Sequence, residues 1–117
     1  MLEILRYVTR DGKDIFGNWL ARLADNQATA RILVRIDRLA LGNLGDSKYL
    51  HDGVSELRID WGPGYRVYFA LLGTRCVLLL CGGDKRNNPL TSKGRSSISG
   101  IIGKGVYEHE TQGERLP

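Results

Sequence analysis

The chain has 117 residues, which suits one compact domain and excludes a multidomain enzyme. Its 42% hydrophobic and 26% charged content is ordinary for a globular protein and excludes wholesale disorder or a disulfide-stapled miniprotein. A net charge of +4 favours polyanionic partners. The sequence holds no apolar run long enough to cross a membrane and no secretory signal, so we expect a cytoplasmic protein with no membrane partner.

The first third of the chain predicts one strand followed by two helices. Residues 4–9 alternate moderately in polarity and lead into the turn dipeptide Asp11-Gly12, which is typical of a short strand. Asp11 or Asp14 can cap a helix whose apolar residues share one face: Phe16, Trp19, Leu20 and Leu23. A second amphipathic helix covers about residues 27–41, and the short connection predicts an antiparallel helical hairpin.

The middle of the chain predicts a loop and then three strands. Residues 42–53 are rich in turn-forming residues, and Gly62-Pro63-Gly64 and Gly73-Thr74 separate three runs that are typical of strands. The last run is continuously apolar over residues 77–80, so we expect it to be central. The predicted fold class is therefore α+β, with an N-terminal strand, an antiparallel helical hairpin and a three-stranded antiparallel meander.

The composition changes after Lys85. Residues 86–117 are rich in glycine, serine and threonine, and we predict that they form an irregular or disordered tail behind a domain of residues 1–85. Cys76 and Cys81 lie five residues apart in one predicted strand. If that strand is regular their side chains point to opposite faces, so neither a disulfide nor a metal pair is expected.

One group of residues suggests chemistry on RNA. By period two, Glu56 and Arg58 share a strand face, Arg66 and Tyr68 do the same on the next strand, and Lys85 follows the third strand. RNA can be cleaved without metal by three kinds of group. A carboxylate or amine accepts the ribose 2′-hydroxyl proton, guanidinium groups stabilise the phosphorane, and an acid protonates the leaving oxygen. Cross-strand ion pairs and tyrosine packing are the structural alternative.

A second group is a basic stripe along the second helix, formed by Arg31, Arg35 and Arg38. It could bind phosphates, bind an acidic partner peptide or form a solvated helix face. His51 and His109 are isolated, so no role, no metal and no cofactor are assigned to them.

Several motifs together carry a family resemblance over about residues 3–85. They are Trp19-Leu20-Ala21-Arg22-Leu23, Arg35-Ile36-Asp37-Arg38-Leu39, Gly53-Val54-Ser55-Glu56-Leu57-Arg58-Ile59, Gly62-Pro63-Gly64-Tyr65-Arg66-Val67-Tyr68-Phe69 and Leu79-Leu80-Cys81-Gly82-Gly83-Asp84-Lys85. The chain thereby resembles the "addiction module killer" branch of HigB-like toxins within the RelE/ParE superfamily.

The resemblance implies a toxin of a type II toxin-antitoxin system that cuts mRNA in the ribosomal A site. It also implies a helix-turn-helix antitoxin and operator DNA contacted indirectly through that antitoxin. Arg66 and Lys85 fall near catalytic positions of such toxins, and Glu56, Arg58 and Tyr68 are carried over more loosely. Arg31, Arg35, Arg38 and Lys48 form the expected set of residues that bind RNA or the ribosome.

Two alternatives remain open at the level of sequence. ParE-type members inhibit DNA gyrase by binding, and an inactive remnant could still bind the antitoxin. The second alternative arises because relatives continue into a C-terminal helix after the position of Lys85, whereas this chain does not. Reading the codons of residues 91–104 one base earlier permits a string that resembles this helix, so a frameshift would explain the departure.

Overall fold

The computed structural model describes residues 1–85 and 114–115 of the chain. They form two helices and a mixed sheet, to which residues 1–85 contribute five strands and Glu114–Arg115 a short sixth strand. In chain order the elements are β1 (Glu3–Arg6), α1 (Ile15–Ala21), α2 (Asn26–Ala40), β2 (Ser47–His51), β3 (Val54–Ile59), β4 (Tyr65–Leu72), β5 (Cys76–Asp84) and β6 (Glu114–Arg115). The strand order across the sheet is β2-β3-β4-β5-β1-β6. Apart from β6, the predicted irregular tail lies outside the described residues.

The predicted fold class is wrong, because the later strands do not form a separate three-stranded meander. β1 joins them by pairing in parallel with β5, from Glu3 opposite Cys76 to Arg6 opposite Leu79. Parallel neighbours need a long connection, and here the chain between them contains both helices and three strands. Such pairing is decided by packing between distant segments, so the local sequence pattern does not indicate it.

A further strand lies where the sequence predicted a loop. β2 pairs antiparallel with β3 and forms one edge of the sheet, with Lys48 opposite Glu56 and a register shift between Tyr49 and His51. Its residues are exposed or half-buried, because an edge strand has only one neighbour. The apolar alternation that marks a half-buried strand is therefore weak in this segment, which explains the wrong prediction.

The predicted antiparallel helical hairpin is also wrong, because the two helices pack on the sheet rather than chiefly on each other, and both bury their apolar faces against one sheet face. Asp14 caps α1 by accepting from Gly17 N at 2.9 Å, and Asp25 caps α2 by accepting from Gln27 N at 2.9 Å. The helices contribute Phe16, Ala28, Ile32, Ile36 and Leu39 to this core, and the sheet contributes Leu57, Ile59, Val67, Phe69, Val77 and Leu79.

The opposite sheet face carries a second apolar cluster, and a β-bulge shapes it. Tyr68 pairs with Cys81 but Phe69 pairs with Leu79, so Leu80 is an extra residue in β5. The strand is therefore not regular, and the opposite facing expected of the two cysteines in a regular strand does not hold: Cys76 and Cys81 both pack against this second cluster. Neither cysteine forms a disulfide, and burial raises the pKa of Cys81 to about 12. The central position predicted for residues 77–80 is confirmed, since all four are buried and β5 lies between β4 and β1.

Close packing of α1 on β5 requires a glycine at position 82. A Cβ added to Gly82 would lie 2.2 Å from Trp19 Cε3, and the Trp19 ring is held in turn by Phe16 and Tyr65 at ring-centroid distances of 5.9 and 6.2 Å. We expect Gly82→Ala to lower the free energy of unfolding by about 2 kcal/mol, because the Trp19 ring has to shift out of its contacts with Phe16 and Tyr65. Urea unfolding measures this loss. A Trp19→Leu background should reduce it, and an unchanged loss there would contradict the packing argument.

Candidate functional site

Three charged residues predicted for the site meet on the sheet face opposite the helices. Glu56 Oε1 accepts a hydrogen bond from Arg58 Nε at 2.9 Å and lies 3.5 Å from Arg66 Nε. Strand register explains the meeting, because Arg58 stands directly opposite Arg66 across β3 and β4. We call Glu56, Arg58 and Arg66 the charged cluster. One carboxylate oxygen therefore joins two guanidinium groups that the sheet holds side by side.

The charged cluster carries an excess of positive charge. Like charges directly opposite each other across two strands repel, and Glu56 lies between the two guanidinium groups. The more exposed carboxylate of Asp46 also lies 4.0 Å from Arg58 Nη1. Glu56 is 7% exposed, whereas the Arg58 side chain is 37% exposed. The hydrogen bond to Glu56 raises the pKa of Arg58, so this group stays charged at every physiological pH. The two guanidinium groups share the single buried carboxylate of Glu56, and such a pair suits an anion such as phosphate.

Lys85 and Arg66 both lie against the turn between β3 and β4. Arg66 Nη1 donates to Tyr65 O at 3.2 Å and Gly64 O at 3.5 Å. Gly64 has a φ of +84°, and a Cβ added there would lie 3.1 Å from Lys85 Cε. The glycine therefore provides both the left-handed turn and the space that the Lys85 stem occupies. The structure places the stem of Lys85 next to the turn backbone that holds Arg66.

Tyr68 and Lys48 stand opposite Glu56 on its two neighbouring strands. Lys48 is exposed at the sheet edge. Tyr68 is 0% exposed and lies in the second apolar cluster with Val54, Leu80 and Cys81. The placement of Tyr68 matches the packing alternative rather than the role of a general acid, because a buried phenol cannot reach the leaving oxygen of RNA.

The three arginines of the basic stripe have different surroundings. Arg35 donates to the backbone carbonyls of Arg58, Leu44 and Asp46, the last two at 3.3 and 3.1 Å. Its guanidinium therefore fastens α2 to β3 and to the loop before β2. Arg31 stacks on the ring of Trp61 with its Cζ 3.8 Å from the ring centroid, a cation–π contact. Arg38 is exposed, and among residues 1–85 its side chain makes no ion pair or hydrogen bond.

Sequence reasoning missed the contact that ties the β3–β4 turn to α2. Trp61 Nε1 donates to Asp25 Oδ2 at 3.0 Å while Asp25 also caps α2, and Arg31 covers the Trp61 ring. The cap was detectable, since an aspartate before an amphipathic run is a start signal for a helix. The hydrogen bond from Trp61 to this aspartate could not be predicted, because the two residues lie 36 positions apart along the chain.

We expect this capping contact to make stability depend on pH in the acid range. The hydrogen bond from Trp61 and those from the backbone of Ala28 and Gln27 lower the pKa of Asp25 below its ordinary value of 3.8. The stabilisation is therefore complete above that value and is lost as the pH falls through the lower pKa of the folded state. Urea midpoints from about pH 5 to about pH 3 should fall less for Asp25→Asn than for the wild type, since asparagine caps helices without titrating. Parallel curves would contradict this.

A groove with a volume of about 520 Å³ runs along α2 beside the end of β3. Its lining combines Arg31, Val34 and Arg38 of α2 with Ile59 and Asp60. The groove lies on the helix side of the sheet, whereas the charged cluster lies on the opposite side. The molecule thus has two separate basic surfaces.

The other candidate groups have simple surroundings. His51 Nδ1 lies 3.1 Å from Asp52 Oδ2 in an exposed turn, and His109 lies outside the described residues. Within residues 1–85 and 114–115, no three His, Cys, Asp or Glu residues are grouped as metal ligands. No helix in this part of the chain has both the length and the apolarity needed to cross a membrane.

Comparison with known proteins identifies one clear relative. An uncharacterized protein of Haemophilus influenzae is 53% identical over 70 residues, a match that covers 60% of this chain and 71% of the Haemophilus protein. The chain belongs to the same family as that protein. No family model matches the chain. Because that relative is uncharacterized, the function of the chain is inferred from its charged cluster.

Proposed function

We propose that the chain is the toxin of a type II toxin-antitoxin module and cleaves mRNA on the ribosome without a metal ion. The observation that carries the proposal is the meeting of Arg58 and Arg66 at Glu56, with Lys85 beside the same turn. The family resemblance of these residues to HigB-like toxins supports it. Its partners are then the ribosome, mRNA and a helix-turn-helix antitoxin that contacts operator DNA, and its compartment is the cytoplasm.

The chemistry follows from the charges of the cluster. The ribose 2′-oxygen passes its proton to a solvent water and attacks the adjacent phosphorus, the bond to the 5′-oxygen breaks, and that oxygen takes a proton back from solvent. The products are a 2′,3′-cyclic phosphate and a 5′-hydroxyl, so no water or metal ion is consumed. Negative charge grows on the phosphate oxygens during the attack, and paired guanidinium groups stabilise that charge. Arg66 and Arg58 provide these groups.

Glu56 acts in this proposal chiefly by positioning. Its Oε1 is engaged by both arginines, and Lys48 stands opposite it at the sheet edge. A fixed carboxylate between two guanidinium groups prevents their mutual repulsion from separating them and keeps both directed at one phosphate. Lys85 then adds a positive charge beside Arg66, where a second phosphate of the RNA backbone could bind.

Primer extension on mRNA in a translating extract, with and without ribosomes, tests the proposal. We expect the purified chain to produce cuts at codon boundaries only when ribosomes are present. Intact mRNA under both conditions would contradict the proposal. A supercoiling assay with DNA gyrase would then separate an inhibitor of gyrase from an inactive chain that only binds the antitoxin.

A further inference from the structure

The groove along α2 has the pattern of a seam for a second helix. Gln27, Arg31, Val34 and Arg38 follow one another at spacings of four, three and four residues, which is the repeat of a helix that packs lengthwise on another helix. All four line the groove. The residues that α2 buries against the sheet belong to a different face: Ala28, Ile32, Ile36 and Leu39. The seam is therefore additional to the helix face that the fold already uses.

The chemistry of the seam is apolar in the middle and positive at both sides. Val34 is 46% exposed although it is hydrophobic, and Ala30 and Ile59 extend the apolar floor. Arg31 and Arg38 flank Val34 and lie seven residues apart, or about 10 Å along the helix axis. Arg31 stacks on the Trp61 ring and attracts the nearby carboxylate of Asp25, whereas the Arg38 side chain makes no ion pair or hydrogen bond within residues 1–85.

We propose that this groove binds an amphipathic helix of a partner protein that carries two acidic residues seven positions apart with an apolar residue between them. The acidic residues would pair with Arg31 and Arg38, and the apolar residue would pack on Val34. The seven-residue spacing of the arginines is one heptad, or about two helical turns, so one face of a facing helix can meet both arginines at once. The inference does not depend on RNA cleavage.

Two other occupants fit the groove less well. An RNA backbone would leave the apolar floor unused, because phosphates and riboses offer little apolar surface to Val34 and Ile59. A second copy of the chain that packed its α2 in this seam would bring arginine against arginine. Charge complementarity and the apolar floor together favour an acidic amphipathic helix.

A stapled helical peptide of about 18 residues tests the proposal directly. It carries Glu at two positions seven apart and Leu midway, and fluorescence anisotropy measures its binding to the full chain. We expect saturable binding that Arg38→Glu weakens at least about tenfold, because this change replaces one attraction with a repulsion. Folding is not at risk, since the Arg38 side chain makes no contact that the fold needs. A peptide with Lys in place of the Glu that faces Arg38 should recover the affinity for the Arg38→Glu variant.

Matched controls make the test decisive. Arg75→Glu introduces the same charge change in the exposed turn between β4 and β5, outside the lining of the groove, and should leave peptide binding unchanged. Val34→Lys should weaken binding of the same peptide because it removes the apolar contact. Absence of peptide binding, or equal losses from Arg38→Glu and Arg75→Glu, would overturn the proposal. The proposal would also be overturned if the peptide failed to bind while a single-stranded RNA oligonucleotide bound to the chain through Arg38. The same holds if the chain formed a dimer that required Arg38. In either case the groove would belong to that occupant.

Discussion

Arg66→Ala is expected to reduce ribosome-dependent mRNA cleavage by about 100-fold to 1,000-fold, the usual effect of removing one group that stabilises transition-state charge. Arg66 is the better-buried arginine of the charged cluster, with 15% of its side chain exposed against 37% for Arg58. It is also the arginine held by the β3–β4 turn, through Gly64 O and Tyr65 O. Its guanidinium is therefore the more rigidly placed of the two, and rigid donors contribute most to charge stabilisation.

The matched control for this loss is Arg75→Ala, which removes an exposed arginine in the turn between β4 and β5. We expect Arg75→Ala to cleave at the wild-type rate. Arg66→Lys keeps the charge but not the planar fork, so it should recover only part of the activity. If Arg66→Ala cleaved within a factor of about three of the wild type while remaining folded, the charged cluster would not be the catalytic site.

Glu56→Ala is expected to lower the free energy of unfolding by about 3 kcal/mol, because it leaves two arginines facing each other without their shared carboxylate. The side chain of Glu56 is 9% exposed and that of Arg66 is 15% exposed, so water replaces the lost contacts poorly. Activity should fall as well, since mutual repulsion would separate the two guanidinium groups. Equilibrium urea unfolding followed by circular dichroism measures the change in stability.

Glu56→Gln separates charge from size in this prediction. Glutamine keeps the side-chain volume and one oxygen that can accept from Arg58, so the loss of stability should be smaller than for Glu56→Ala. Arg66→Ala in the Glu56→Ala background should recover part of the stability, because the repelling pair is then gone. Additive losses in that double variant would contradict the ion-pair account of the cluster.

The charged cluster could be predicted from sequence because it depends on strand periodicity alone. Glu56 and Arg58 are two residues apart in one strand, and a single turn at residues 62–64 places Arg66 in the next strand. Period two then puts all three on one face. Lys85 follows from the same logic, as it comes directly after the strand that pairs with β4. No contact between distant segments has to be known.

Other features depended on packing that sequence periodicity does not report. The parallel pairing of β1 with β5 and the edge strand β2 were both missed, because each depends on pairing and packing between strands and not on the local pattern of one segment. Arg35 was expected to bind phosphate. Instead it donates a hydrogen bond to the carbonyl of Arg58, 23 residues away, and thereby connects α2 to the sheet. The bulge at Leu80 changes the sheet face to which Cys81 points, because one extra residue moves every following side chain of the strand to the opposite face.

The chemical form of the cut RNA ends tests the central claim most directly. Messenger RNA from translating extracts treated with the wild-type chain would be ligated with an enzyme that joins only 2′,3′-cyclic phosphate ends, and the junctions would be sequenced. The account predicts cyclic phosphates at the cut sites with wild-type protein and their loss with Arg66→Ala. Cut ends that carry 3′-hydroxyls would show hydrolysis by a metal-activated water, and undiminished cutting by Arg66→Ala would place the chemistry elsewhere. Either result would contradict the account.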